Sequence, residues 1–174
     1  MSKFLLVIVL GCAGGFIYSP YAATDKYAAA VVARDGKTLA ELTDIPSVRE
    51  SMKESFRPVV AEYLRQNVPN GLTAQQANNG ILAGVVMAEK QLDLMFTAEN
   101  MQEVIDSVPH DIATSYEFTH RGWRNPFTFV AIDTEDSTKN IFEFQGLTGW
   151  KLIRSEASKE TVRKNVLRGL RQGR

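Results

Sequence analysis

The stretch Ser115–Glu156, SYEFTHRGWRNPFTFVAIDTEDSTKNIFEFQGLTGWKLIRSE, decides the fold. It holds both tryptophans and more than half of the phenylalanines. Four short runs rich in aromatic and β-branched residues are divided by turn-forming clusters, the signature of consecutive antiparallel strands. Tyr116, Phe118 and His120 alternate on one face of the first run, and Gly122 to Pro126 reads as a turn. In the second, Phe127, Phe129 and Ala131 alternate with Thr128, Val130 and Ile132, so both faces are apolar and the strand belongs inside the sheet. Thr134 to Lys139 is a polar loop. Ile141 to Gln145 and Gly149 to Arg154 form a hairpin across Gly146-Leu147-Thr148. Phe142 and Phe144 share one face of the third strand, and Trp150 and Leu152 share one face of the fourth. An antiparallel sheet of this kind can give one face to water and the other to helices.

The sequence before this stretch reads as helix. Ser19-Pro20 fits a helix start, with Ser as cap and Pro at the first helical position, and Asp35-Gly36 fits its end. Leu39 and Leu42 mark a short helix. Ser47 and Glu50 match a capping box. Val48, Met52, Phe56, Val59, Val60, Tyr63 and Leu64 then repeat at three and four, one helix face, with Pro58 expected to kink or split it. Thr73 and Gln76 match a second capping box before a stripe of Ile81, Val85, Ala88, Leu92 and Met95. Gly80 and Gly84 share a face and admit a close neighbour. Thr97 caps a last short helix, which Pro109 closes.

The chain starts with an apolar run, Phe4 to Tyr18 (FLLVIVLGCAGGFIY), directly after Lys3. With Ser19 to Ala23 it reaches about 20 residues, the length of a bilayer-spanning helix. Three readings compete. An uncleaved anchor agrees best with length and flanks, with Lys3 on the cytoplasmic side. A removed signal peptide meets a poor cleavage site, since Tyr21 is bulky. Val9-Leu10-Gly11-Cys12 resembles the lipobox of bacterial lipoproteins, which would make Cys12 the lipidated residue, although Leu10 is uncommon at its position. Cys12 is the single cysteine, so no internal disulfide forms.

The remaining organisation follows. Residues 1–23 form an anchor or signal segment, 24–156 one α+β domain, and 157–174 a basic C-terminal tail. In the tail Ser158 is positioned to cap a helix, with Val162, Val166 and Leu170 on one side and Arg163, Lys164, Arg168 and Arg171 around it. That pattern fits either a lipid-touching basic helix or a solvated tail. A composition of 44% hydrophobic and 23% charged residues excludes a disordered chain. Twenty basic against twenty acidic residues argues against a nucleic-acid partner.

These residues resemble a bacterial family, domain of unknown function 2939. The resemblance rests on an anchor running into Tyr18-Ser19-Pro20-Tyr21, then Ala33-Arg34-Asp35, Leu39 and Leu42, Asp44-Ile45-Pro46-Ser47-Val48-Arg49, and a Trp150-Lys151-Leu152 strand. It covers most of residues 18–154 and is most specific in the first third. Lys37 and Thr38 depart from the family's acidic or small residues. The resemblance implies an envelope protein without an assigned activity. Helices followed by an antiparallel sheet are also similar to NTF2-like and cystatin-like folds, which host enzymes and binding modules alike.

The chemistry is sparse. No G-x-S-x-G, phosphate-binding loop or dinucleotide fingerprint occurs, and the histidines lack metal-ligand spacing. The expectation is therefore no cofactor, no metal and no catalytic residue. The acidic loop of Asp133, Glu135 and Asp136 reads as solvated, and Arg49 beside Asp44 as a local ion pair. The best binding candidate is Arg121-Gly122-Trp123-Arg124, with His120 beside it, because Arg and Trp favour interaction hot spots. The competing arrangement is a turn whose Trp123 packs on the sheet while the arginines stay in water. The expected protein is a non-catalytic binding module at the bacterial inner membrane, facing the periplasm and held by its N-terminal segment. Two alternatives stand beside it. One is an NTF2-like small-ligand enzyme or binding protein, which needs a pocket holding a perturbed carboxylate or histidine. The other is a lipoprotein assembly factor that binds a protein partner.

Overall fold

The structure, a computed structural model, describes residues 3–164, with side chains from residue 14 onward. The helices are α1 (Lys3–Val32), α2 (Gly36–Glu41), α3 (Ile45–Gln66), α4 (Ala74–Met95), α5 (Met101–Ser107) and α6 (His110–Thr114). The strands are β1 (Phe118–Asn125), β2 (Thr128–Asp133), β3 (Lys139–Phe144) and β4 (Trp150–Glu156). They form one antiparallel meander in the order β1-β2-β3-β4, the α+β arrangement expected. Gly122 lies inside β1, so the first turn is shorter than its sequence implied.

Alternation along β2 sends Phe129, Ala131 and Asp133 to the inner face. Phe142 of β3 stands opposite Phe129, and Leu152 of β4 opposite Phe142, which makes an apolar row across the sheet. The second half of α1 lies on this row. Tyr21 meets Phe129 edge-on at 4.8 Å between ring centroids, and Tyr27 meets Phe142 at 5.6 Å. At one end of the sheet Phe16 sits among Phe144 (5.3 Å), Trp123 (5.9 Å) and Trp150 (6.2 Å).

α1 passes through Pro20 without a break, so Ser19-Pro20 is not a helix start. Proline has no N–H to give the Phe16 carbonyl. The Ser19 hydroxyl takes its place, donating to that carbonyl at 2.7 Å and accepting the Trp150 indole N–H at 2.7 Å. One serine thus repairs the helix and ties it to β4. Ser19→Ala leaves two polar groups without partners and should cost about 1–3 kcal/mol in urea unfolding.

The end of α1 also differs from its reading. Arg34, not Gly36, takes the left-handed position, with φ 55°, and its guanidinium holds the Val108 carbonyl at 2.7 Å. Asp35 caps α2 by accepting the Thr38 N–H at 3.0 Å. Gly36 is needed for space, because a Cβ there would lie 2.6 Å from the Gln102 backbone of α5.

α3 starts earlier than the Ser47–Glu50 box implied, because the Asp44 carboxylate accepts the Ser47 N–H at 3.2 Å. The connector before it shields the edge of β4. Leu152 N–H donates to the Leu42 carbonyl and Asp44 N–H to the Leu152 carbonyl, both at 2.8 Å. Such cover blocks pairing with foreign strands. α3 runs unbroken through Pro58. α4 lies along it, joined by Arg57–Glu89 (2.6 Å), Lys53–Asp93 (2.6 Å) and Arg49–Asp93 (3.2 Å). Arg49 therefore does not pair with Asp44. The Thr73–Gln76 capping box is present. Ile81 and Val85 are buried but Met95 is exposed, because only one stripe of α4 meets α3. Gly84 lets Leu64 approach, whereas Gly80 faces open space. Asn100 rather than Thr97 precedes α5, while Thr97 accepts the Asn100 N–H at 3.2 Å.

After β4 the chain turns back. Ser158 accepts the Thr161 N–H at 3.0 Å and opens a helical turn at 159–164 that buries Val162. The rest of the expected tail helix, residues 165–174, lies outside the described residues.

Candidate functional site

The four residues singled out on β1 are parted by a bulge. Phe118 pairs with Asp133 but His120 with Ile132, so the register shifts between them. Phe118 turns inward, and His120 is exposed rather than sharing its face. Arg121 meets α1, paired with Asp25, and its NH1 reaches the Thr24 hydroxyl at 3.4 Å. Trp123 packs edge-on against Trp150 at 5.4 Å and Phe129 at 5.7 Å. Arg124 is exposed. Two of the four residues thus hold α1 on the sheet and two face solvent. The Cys12 side chain, the candidate for lipidation, lies outside the described side chains.

The opposite end of the inner face is polar. A cavity of about 370 Å³ opens there between α3, α4 and the sheet. Tyr116, Asp133 and Asn140 line its polar side, and Met52, Phe56 and Leu92 its apolar side. Val162 of the returning tail segment lines it too. A larger, open groove of about 680 Å³ runs between the end of α3 and residues 159–164. It carries no comparable buried polar cluster among the described residues.

Asp133 is the centre of the cavity's electrostatics. It is 9% exposed, and one carboxylate oxygen accepts the Glu135 N–H at 2.8 Å. Burial pushes its carboxyl above the ordinary carboxylate range, against that backbone hydrogen bond, and the neighbouring Asp136 charge pushes it further. Burial, with Asp133 nearby, also pushes the Tyr27 phenol up to about 12. The Tyr116 phenol moves in the same direction, chiefly through burial. Both phenols stay protonated donors at neutral pH.

A raised carboxyl means that the folded state holds its proton longer than the unfolded chain. Asp133 therefore contributes stability below the unfolded value and loses it as pH rises through the folded value. Asp133→Asn should raise the denaturation midpoint at neutral pH. Its advantage over the parent should shrink as pH falls into the acid range, measured by urea unfolding at several pH values.

The signal for this carboxylate was in the sequence. Asp133 is the next inward step after Phe129 and Ala131, yet it also begins the acidic loop. Asn140 likewise stands two positions before Phe142 on β3, although Ile141 between them is buried as well.

The helical half of this architecture has relatives. Residues 9–115 match the family described as "Protein of unknown function (DUF2939)". The chain belongs to the DUF2939 family. The matched stretch takes in α2 to α6 and all of α1 that bears on the sheet, and ends where β1 is about to start. The cavity of this DUF2939 protein thus joins matched residues such as Met52 and Leu92 to Asp133 and Asn140 beyond the match. No curated protein and no solved structure matches the chain significantly.

Proposed function

We propose that the chain is a membrane-tethered envelope module that binds rather than catalyses, held at the inner membrane and facing the periplasm. The observation that carries this reading is the end of the sheet from which α1 departs. The β1–β2 and β3–β4 turns both lie at that end. The first presents Phe127, 58% exposed and 6.4 Å from Phe16 between ring centroids; the second presents Leu147, fully exposed. Ile17 and Tyr18 are exposed on the helix where it leaves. Apolar and aromatic side chains around a helix exit suit the headgroup region of a bilayer. The apolar run that starts at Phe4 continues from there along the same helix. Among the residues whose side chains are described, no helix is long and apolar enough to cross a membrane.

The same contacts bear on processing. Cleavage after Ala23 would remove Phe16, Ser19, Pro20 and Tyr21 from the sheet. A retained anchor, or a lipid on Cys12, leaves them in place. The lipoprotein therefore remains the alternative form of tether.

The test places one fluorescent label at a time in a Cys12→Ser chain reconstituted in anionic vesicles. A label at position 147 should shift to the blue and be quenched by lipid-borne quenchers. A label at position 137, in the β2–β3 loop at the far end, should do neither. Equal responses at the two positions would defeat the proposed orientation.

A further inference from the structure

We propose that the cavity around Asp133 is a binding site for a small organic ammonium compound, a primary amine carried on a compact apolar body. Its volume, about 370 Å³, lies at the small end of the roughly 300–1,000 Å³ typical of ligand pockets. It combines one apolar wall, from Met52, Phe56 and Leu92, with a polar wall of Tyr116, Asp133 and Asn140.

The polar wall is only partly satisfied from within: Asp133 accepts the Glu135 N–H and has the Tyr116 phenol beside it. Asn140 is 4% exposed and borders the cavity, and its carboxamide makes no hydrogen bond to any described residue. Its polar atoms open onto the cavity, so a ligand there can supply the partner that the fold does not. The Asp133 carboxylate has no cationic partner among the described residues, and Asp136 adds a second negative charge at the mouth.

Three ligand classes can be compared on charge. An anion would meet two carboxylates. A neutral alcohol would supply a hydrogen bond but no countercharge. An ammonium group supplies both, with three donors for the Asp133 carboxylate, the Asn140 carbonyl oxygen and one further acceptor. Hydrogen bonds between ionised partners are about twice as strong as neutral ones. The burial that raises the Asp133 carboxyl points the same way, since a bound cation stabilises its charged form. The apolar wall sets the other requirement, a short body without further charge.

This inference does not depend on the membrane tether. It is tested on the full chain in detergent micelles by NMR titration with benzylamine, benzoate and benzyl alcohol, three probes that share one ring. Benzylamine should shift the amide signals of Leu92, Asp133 and Asn140 saturably, and the other two should not. Asp133→Asn should weaken benzylamine at least tenfold while the remaining spectrum stays folded. Leu92→Trp, which fills the apolar side, should abolish the shifts. Equal binding of benzoate or benzyl alcohol would overturn the proposal. So would silence towards benzylamine, or unchanged benzylamine binding in either variant.

Discussion

A chain beginning at Thr24 should fail to fold, while one beginning at Cys12 should unfold cooperatively. The difference lies in four side chains. Phe16 touches the rings of Trp123, Phe127, Phe144 and Trp150. Pro20 is fully buried, Tyr21 stands on Phe129, and Ser19 holds the Trp150 indole. Burying a large apolar side chain contributes about 1.5–3 kcal/mol. Losing these contacts together removes on the order of 5 kcal/mol, as much as the whole stability of many domains. Circular dichroism and urea unfolding of the two chains check this. A cooperative transition of the Thr24 chain at the midpoint of the longer one would show that α1 is dispensable to the sheet.

Trp123→Ala should lower stability by about 3 kcal/mol, the low end for truncating a core aromatic, because the ring is only half-buried. Its contacts run to Phe16, Phe129 and Trp150, on three different elements. The neighbouring Arg124→Ala should stay within about 0.5 kcal/mol, as exposed substitutions do. Urea unfolding of both variants separates a core residue from an exposed binding anchor. A Trp123→Ala chain as stable as its parent would return this tryptophan to the surface.

The sheet was legible in the sequence because alternation is a local property. Phe129 and Ala131 pointed inward as their spacing required, and β2 took its interior place. The β1 bulge was not legible. One extra residue between Phe118 and His120 reversed the faces, which placed Arg121 and Trp123 against α1 and left His120 in solvent. Pro20 misled for a related reason. Proline usually opens a helix; here the Ser19 hydroxyl, itself held by the distant Trp150 indole, donates to the Phe16 carbonyl that Pro20 leaves free. The cavity was half legible. Its carboxylate followed the strand rhythm, but the apolar wall comes from α3 and α4, whose approach depends on Gly84 and the Asp93 ion pairs. No local pattern announces that meeting.

The central claim is that one helix serves both the sheet and the lipid surface. The intact mass of the protein purified from bacterial membranes tests it most directly. The account predicts a mature chain that still carries the apolar segment from Phe4 through Ala23. A folded mature chain starting at Thr24 would contradict it.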